Sequence, residues 1–420
     1  MTGPVSIPVS IETIYKAKTR LKAVASSTPL QYSPRLSERY QCKVYLKRED
    51  LQVVRSYKIR GAYNKIAQLP KHAREAGIVC ASAGNHAQGV AYACATLGIN
   101  GTIFMPEVTP QQKVRKVQQF GKEWVTIQLI GDTFDASFQE AMRFCEAAKS
   151  TFIHPFDDLQ VIQGQATVGL EIFEDCPETI DFLLLPIGGG GLAAGVGSFF
   201  RQVQSETRIY GVEPAGAPAM HHSLQQGERV LLDHIDSFVD GAAVRRVGQH
   251  TFAICKEILE DVLLVPEGKV CSSILQLYNE DGIVVEPAGA LSISALDLIA
   301  DQLKGKTVVC VVSGSNNDIT RTEEIRERAL LYEGKKHYFI IRFPQRAGAL
   351  RDFLNNVLGP KDDITHFEYT KKHNRESGPA LVGIQLEQAE DYQRLLERME
   401  EHQIDFETLN DRRMLFELLI

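Results

Sequence analysis

Short β-rich runs alternate with longer helix-like segments over residues 20–325, and this alternation constrains the fold more than any other feature of the sequence. The β-rich runs are CKVYLKRE, GIVCAS, GTIFMP, EWVTIQL, TFIHPF, DFLLLPI, RIYGVEP, DVLLVP and TVVCVVS. Strands separated by helices form parallel sheets that helices cover on both faces, so we predict an α/β fold. Ligands of such sheets bind at the carboxyl ends of the strands, where loops lead into helix N-termini. The loops after the strands are therefore where functional residues are expected.

Near residue 330 the pattern changes to strand, helix, strand, strand, helix and strand. In order these segments are HYFIIRF, RAGALRDFLNNVL, ITHFEYTK, PALVGIQL, AEDYQRLLERMEEHQ and IDFETL, with a polar HNRESG turn between the two middle strands. This βαββαβ order is the split βαβ arrangement. We expect an α/β domain over residues 1–330, with a smaller subdomain of about residues 55–160 inserted in a larger one. A linker over residues 331–336, around Gly334, is expected to lead to an α+β domain over residues 337–411.

Composition excludes several classes of protein. The formal net charge is -7 and no segment clusters lysine and arginine, so no nucleic acid partner is expected. No apolar run approaches the length of a membrane span. The eight cysteines form no CxxC pair, and the N-terminus lacks the apolar segment of a signal peptide. These features indicate a cytoplasmic protein with reduced cysteines and without a metal site or a membrane association.

The segment PIGGGGLAAG follows the apolar strand DFLLL and leads into a helix-like run. Successive glycines let the backbone approach an anion, and the N–H groups at the start of the helix point toward it. The segment therefore predicts a phosphate site formed by Gly188, Gly189, Gly190, Gly191 and Leu192. The same segment also satisfies the dinucleotide-binding pattern G-x-G-x-x-A. Glu213 ends the next strand, at the position where a Rossmann fold has an acidic residue that bonds a ribose hydroxyl. An NAD-dependent dehydrogenase is therefore an alternative.

Three further segments carry polar side chains of interest. SYKIRGA contains Lys58, whose amine is a candidate nucleophile, and SAGNHAQG places small polar residues at a helix N-terminus that suits a carboxylate. His86 in that loop is as well explained by a capping or core role as by a direct one. In SGSNN, Ser313 follows a strand and is either a helix cap or a ligand of a ring nitrogen.

Pyridoxal phosphate is one ligand that would use all four segments. It offers a phosphate for the glycines, an aldehyde carbon for the lysine, an oxygen for Asn85 and a ring nitrogen for Ser313. The substrate of such an enzyme is a small amino acid, whose carboxylate would occupy the SAGNHAQ loop. We therefore predict a pyridoxal 5'-phosphate enzyme.

The four segments resemble, in order and spacing, those of the fold-type II (tryptophan synthase β-like) pyridoxal phosphate enzymes, and most closely the threonine dehydratases. The resemblance covers about residues 10–325. It implies that Lys58 carries the cofactor, that Asn85 bonds its 3-hydroxyl and that Ser313 contacts its ring nitrogen. It also implies that the glycine loop holds the phosphate. The substrate-binding candidates are Ser82, Ala83, Gly84, Asn85 and His86.

The chemistry that this resemblance implies is β-elimination, with Lys58 as the general base that removes the α-proton. A serine at the ring nitrogen makes the ring a weaker electron sink than an aspartate would, which favours loss of the β-hydroxyl. L-threonine would give 2-oxobutanoate and ammonia, the first step of isoleucine biosynthesis, with L-serine as a secondary substrate. Tyr57 stands where many relatives have phenylalanine, a departure that concerns ring packing at the site.

The βαββαβ segment resembles an ACT-type regulatory domain, as in biosynthetic threonine dehydratases. The resemblance implies isoleucine or valine as an effector and a homo-oligomer, with a tetramer expected; an oligomerisation module without a ligand is the alternative. Serine racemase or dehydratase and threonine synthase are the nearest alternative enzymes, and an amino-acid sensor built on an inactive enzyme is a third kind of protein. A serine racemase would carry an acidic residue shortly after Glu213 to bind a divalent ion. This chain has EPAGAPAM there, so no metal site is expected.

Overall fold

A computed structural model of the chain describes residues 8–369 and 377–412. The start of the N-terminal segment and most of the expected HNRESG turn lie outside the described residues. The chain divides into two compact units. The first comprises residues 1–267 and 277–317, and the second comprises residues 268–276 and 318–420.

The helices of the described residues are mostly amphipathic and begin with a capping side chain or a proline at several positions, as Ser10, Thr133 and Asp158 illustrate. None of the described helices is long and apolar enough to span a bilayer. The α-helices are α1 Ile11–Leu21, α2 Pro34–Tyr40, α3 Lys58–Ile66, α4 Lys71–Ala76, α5 Asn85–Leu97, α6 Gln111–Gly121, α7 Phe134–Ala148, α8 Leu159–Asp175, α9 Gly191–Val203, α10 Ala219–Gln226, α11 Gln249–Ile258, α12 Glu267–Asp281, α13 Pro287–Ser294, α14 Ala300–Leu303, α15 Thr322–Tyr332, α16 Ala349–Asn356 and α17 Asp391–Glu401.

The strands of the described residues form three sheets, with orders β1-β2-β10-β7-β8-β9, β5-β4-β3-β6 and β12-β13-β11-β14. The strands are β1 Leu30–Tyr32, β2 Lys43–Arg48, β3 Ile78–Ala81, β4 Gly101–Met105, β5 Val125–Leu129, β6 Thr151–Phe152, β7 Phe182–Pro186, β8 Arg208–Pro214, β9 Asp261–Val265, β10 Thr307–Val312, β11 Lys336–Pro344, β12 Asp363–Tyr369, β13 Ser377–Gln385 and β14 Asp405–Thr408.

The six-stranded sheet is the centre of the first unit. Its strands β2, β10, β7, β8 and β9 run parallel, as the alternating pattern predicts, whereas β1 pairs antiparallel with β2. Strands β7 and β10 are buried on both faces, which explains their nearly continuous runs of leucine and valine. The loops after these two strands are the ones that contain the glycine run and Ser313.

The four-stranded sheet of the first unit is entirely parallel. The expected strand TFIHPF is much shorter than predicted, because only Thr151 and Phe152 pair with β3. The Nδ1 atom of His154 accepts the backbone N–H groups of Phe156 and Asp157, and this turn ends the strand. Residues 153–156 thereby leave the sheet and reach the candidate site described below.

The second unit contains the predicted βαββαβ order as β11, α16, β12, β13, α17 and β14 in an antiparallel sheet. Alternate residues of β11, namely Phe339, Ile341 and Phe343, pack with Phe353 of α16 and Leu395 of α17 in its core. The predicted fold class is therefore confirmed. Helix α15 also clusters with this unit, and the expected boundary at residues 331–336 remains a proposal.

Candidate active site

Lys58 is the first residue of α3, and it is half-buried. Its amine donates to the carbonyl oxygen of Pro155 at 3.1 Å and lies 5.4 Å from the ring centroid of Tyr57. Burial lowers the pKa of Lys58 to about 8, although the nearby carboxylate of Glu286 acts in the opposite direction. A large fraction of this amine is therefore neutral near pH 8, as a nucleophile or a base requires.

The backbone before Lys58 is fixed to the loop that follows β10. The N–H of Tyr57 donates to the carbonyl of Ser313 at 3.3 Å, and the N–H of Ser315 donates to the carbonyl of Arg55 at 2.9 Å. Arg55 adopts the left-handed region at φ 55°, which costs energy for a residue other than glycine. The structure therefore brings the lysine segment and the SGSNN segment together.

The glycine loop connects β7 to the N-terminus of α9, as predicted. Gly190 has a φ of 93°, and a Cβ atom there would lie 2.9 Å from both Met220 and Thr251. Within the described residues, the backbone N–H groups of Gly188, Gly189 and Gly190 donate to no protein acceptor. Free N–H groups ahead of a helix N-terminus suit a phosphate, so this loop fits the predicted ligand.

Pro155 and Phe156 connect Lys58 to the glycine loop. Pro155 accepts the hydrogen bond of the lysine amine, and a Cβ atom on Gly189 would overlap the ring of Phe156. Neither residue was predicted to belong to the site, because the segment TFIHPF was interpreted as a strand. The turn at His154 is what directs both residues toward Lys58.

The SAGNHAQG segment lies between β3 and α5. Ser82, Ala83, Gly84 and Asn85 are partly exposed at the N-terminus of α5, where the helix dipole favours an anion. Helix α5 packs closely on α3, since a Cβ atom on Gly89 of α5 would lie 3.2 Å from the backbone of Lys58. The loop is therefore held beside the lysine.

His86 differs from its neighbours in this loop because it is buried, with 3% of its surface exposed. Its Nε2 atom lies 2.9 Å from the carbonyl oxygen of Ile153, which can only accept, so Nε2 carries a proton. Burial, assisted by the charge of Lys58, lowers the pKa of His86 to about 3. The imidazole is neutral and its Nε2 is committed to the backbone, which supports the capping or core role over substrate binding.

Ser313 directly follows β10 and is 3% exposed. Its hydroxyl donates to the carbonyl of Ala288 at 3.1 Å. A ring nitrogen that lacks a proton would have to compete with this carbonyl for the same hydroxyl proton. The predicted contact thus requires the hydroxyl to rotate away from Ala288.

A carboxylate that was not predicted from the sequence connects the loops. Glu286 is buried, and its two oxygens accept from Asn85 Nδ2 at 2.6 Å and from the backbone N–H of Asn316 at 3.1 Å. Burial, with the negative charge of Asp240, raises the pKa of Glu286 to about 7. A single acid within the apolar stretch IVVEPAGALSISAL is the signal that would have indicated it.

Glu213 does not offer its carboxylate to a ligand. It is fully buried at the end of β8, and its oxygens accept the N–H groups of Met220 at 2.8 Å and His221 at 2.9 Å. These contacts cap α10, so the acid that would bind a ribose in a dehydrogenase is already satisfied by the protein.

Comparison with known proteins agrees with this geometry. A family described as "Pyridoxal-phosphate dependent enzyme" matches residues 22–314, and one described as "C-terminal regulatory domain of Threonine dehydratase" matches residues 327–419. The protein named L-threonine dehydratase biosynthetic IlvA of Halalkalibacterium halodurans is 58% identical over 412 residues, 98% of this chain and 99% of the relative. The chain belongs to the biosynthetic threonine dehydratase family. The relative of the same name from Bacillus subtilis is 56% identical over 98% of both chains.

Solved structures of other proteins are similar in fold to this chain. The processed form of threonine deaminase isoform 2 from Solanum lycopersicum is 38% identical with a TM-score of 0.74, over 79% of this chain and 90% of that chain. Serine racemase from Dictyostelium discoideum is 30% identical with a TM-score of 0.69, over 74% of this chain and 99% of that chain.

These findings confirm the predicted family and pyridoxal phosphate as its cofactor. The site fits this cofactor in two respects that do not depend on the comparisons, namely a half-buried lysine of lowered pKa and a loop of free N–H groups. The roles of the individual residues of this threonine dehydratase remain predictions.

Proposed function

We propose that the chain converts L-threonine to 2-oxobutanoate and ammonia by pyridoxal phosphate-dependent β-elimination, and that this reaction is the first step of isoleucine biosynthesis. The observation that carries this proposal is the half-buried amine of Lys58, whose pKa is lowered to about 8, together with a glycine loop of free N–H groups that Pro155 and Phe156 connect to it. Full-length identity of 58% and 56% to proteins named biosynthetic L-threonine dehydratase supports the same substrate.

The protein residues have separate tasks in this proposal. Lys58 would hold the cofactor through its amine and, once free, would remove the α-proton of the substrate. Gly188 to Leu192 would hold the phosphate, Asn85 the 3-oxygen and Ser313 the ring nitrogen. When bound, pyridoxal phosphate supplies an aldehyde for covalent attachment and a conjugated ring that accepts electrons.

The partly exposed loop from Ser82 to Asn85 would bind the substrate carboxylate at the N-terminus of α5. Threonine and serine differ by one methyl group, which a hydrophobic pocket distinguishes by only about 1–3 kcal/mol. L-serine is therefore proposed as a secondary substrate, which would give pyruvate.

Incubation of the purified protein with L-threonine, followed by an assay of 2-oxobutanoate, tests the proposal. We expect turnover by the wild type, slower turnover of L-serine, and none above background for Lys58→Ala. Equal product from the wild type and Lys58→Ala would contradict it.

Regulation, assembly and location complete the proposal. The match of residues 327–419 to a regulatory domain supports an effector site there, and we propose isoleucine or valine as the effector. We also propose a homotetramer in the cytoplasm. Activity measured with added isoleucine or valine, and the mass of the protein in solution, test the first two.

A further inference from the structure

The hydrogen-bond network around Asn85 has a single consistent polarity. The carbonyl of Val54 can only accept, so the group of Asn316 that lies 2.8 Å from it is the Nδ2 amine. The same amine lies 2.7 Å from Asn85, and the Asn85 atom that faces it is therefore the acceptor Oδ1. This leaves Asn85 Nδ2 facing Glu286 at 2.6 Å.

The backbone N–H and both side-chain polar atoms of Asn316 are occupied in this arrangement. Its backbone N–H donates to Glu286, its Nδ2 donates to Val54 and Asn85, and its Oδ1 accepts from Lys116 at 3.2 Å. Asn85 has its Oδ1 and one of its two Nδ2 hydrogens occupied in the same way. A second Nδ2 hydrogen of Asn85 is left to donate to a ligand.

We infer that Glu286 is a positioning residue that fixes the orientation of the Asn85 amide, so that Asn85 presents an N–H donor to the 3-oxygen of the cofactor. This inference rests on the proposed function, since it takes Asn85 as the residue that contacts that oxygen. It goes beyond it by assigning a task to a carboxylate that touches neither substrate nor cofactor in the proposal.

The hydrogen bonds at residue 286 require a side chain that only accepts hydrogen bonds. Two donors face its oxygens, the Asn85 amine and the Asn316 backbone N–H. A glutamine there would place its own NH₂ against one of these donors, and that repulsion weakens the hold on the Asn85 amide. The site is also shaped for this side chain, because a Cβ atom on Gly314 would overlap the Glu286 carboxylate.

The test measures cofactor affinity rather than turnover. Full-length protein freed of pyridoxal phosphate is titrated with it at pH 8, where the Glu286 carboxyl is mostly ionised, and binding is followed by visible absorbance. Glu286→Gln, Asn85→Ala and the double variant form a cycle, and Glu267→Gln is the matched control. Glu267 makes the same kind of contact, accepting the N–H of Gly216 at 2.7 Å.

We expect Glu286→Gln and Asn85→Ala each to raise the dissociation constant about tenfold, and the double variant to be no weaker than Asn85→Ala alone. Glu267→Gln should bind as the wild type does. Effects of the two substitutions that multiply, or unchanged affinity in Glu286→Gln, would overturn the inference.

A second variant guards against misfolding of Glu286→Gln, which its melting temperature would reveal. Asn316→Ala removes the donor that faces Asn85 Oδ1 and should likewise have no further effect in the Asn85→Ala background. Multiplying effects would count against the inference here too. A wild type that binds no pyridoxal phosphate would instead refute the proposed function.

Discussion

Two opposing influences act on the amine of Lys58. Burial disfavours its charged form, and the Glu286 carboxylate favours it, with burial the larger of the two. The neighbouring imidazole of His86 is neutral near pH 7 and adds no positive charge, because burial lowers its pKa to about 3. The protein therefore prepares Lys58 for reaction mainly by excluding water.

This balance predicts the pH dependence of cofactor loading. The neutral amine attacks the aldehyde, so the rate at which cofactor-free protein takes up pyridoxal phosphate should rise with pH and level off above about 8. Stopped-flow absorbance at several pH values measures this rate. Nα-acetyl-lysine, whose amine has an ordinary pKa of about 10.4, serves as the control and should keep rising above pH 9. A protein rate that also rises to pH 10 would show that the site does not lower the pKa of Lys58.

The site residues differ in how well the sequence could indicate them. A run of four glycines after an apolar strand is typical of a backbone that binds an anion, and the loop indeed has free N–H groups and a positive φ at Gly190. Glu286 was missed because its partner Asn85 lies 201 positions away, and only the fold shows that a carboxylate and an amide meet. Pro155 was missed because its role depends on a local turn.

At the scale of elements, α3 is anchored by a buried ionic cluster two residues after Lys58. Arg60 is 1% exposed, and its guanidinium donates to Glu49 at 2.8 Å and to Glu171 of α8 at 2.6 Å. Lys47 of β2 donates to the same Glu171 at 2.7 Å. The helix that carries the reactive lysine is thus tied to both a strand and a neighbouring helix.

Replacing Arg60 by methionine should be strongly destabilising, because it removes the cation that faces the buried carboxylates of Glu49 and Glu171. We expect a loss of about 3–5 kcal/mol in the free energy of unfolding. Urea unfolding followed by the fluorescence of Trp124, the single tryptophan of the chain, measures it in the first unit. The control is Arg143→Ala, whose exposed pair with Glu140 should cost less than about 0.5 kcal/mol. Similar losses in the two variants would contradict the importance of the cluster.

Gly190, in the loop between β7 and α9, can be compared with Gly305, in the loop before β10, because both have a positive φ. Gly190 and Gly305 have φ of 93° and 73°, but a Cβ atom on Gly190 would lie 2.9 Å from Met220, whereas Gly305 has open space around it. Alanine at either position should cost about 1 kcal/mol of stability through backbone strain, and at Gly190 the close contacts with Met220 and Thr251 add to that cost. Only Gly190→Ala should also weaken pyridoxal phosphate binding, which an absorbance titration measures. Equal affinity of the two variants for pyridoxal phosphate would argue against a phosphate-binding role of the loop.

The elements themselves were largely predictable, because apolar runs of four to seven residues between helical segments are typical of buried parallel strands. Strand β1, which pairs antiparallel with β2, escaped prediction since three residues, LQY, carry too little pattern. The predicted length of β6 was too great because the sequence pattern there is misleadingly strong. Its aromatic residues have a high β-propensity, but the backbone contacts of His154 turn the chain.

At the scale of the whole molecule, the division between the two units runs through a single helix. Residues 268–276 of α12 belong to the second unit, whereas its first residue and its end at residues 277–281 belong to the first. Within the first unit, the Glu267 carboxylate holds the N–H of Gly216 in the loop after β8. Within the second, Gly268 packs so closely on α15 that a Cβ atom would overlap Tyr332. Glu267 of the first unit and Gly268 of the second are thus consecutive residues of one helix.

This continuity predicts that the packing at Gly268 affects regulation more than catalysis. Gly268→Ala must push α15 away from α12, and we expect it to change the isoleucine concentration for half-inhibition by about fivefold or more. Activity without isoleucine should change less, because the atoms nearest to a Cβ at residue 268 belong to Arg328 and Tyr332 of α15. Gly282→Ala, at the other end of the same helix and with open space around it, is the matched control and should keep the wild-type response. Threonine turnover is measured against isoleucine concentration for the three proteins. A wild type whose activity does not respond to isoleucine would refute the proposed effector. If the wild type responds and Gly268→Ala responds in the same way, the contact between α12 and α15 is not needed for regulation.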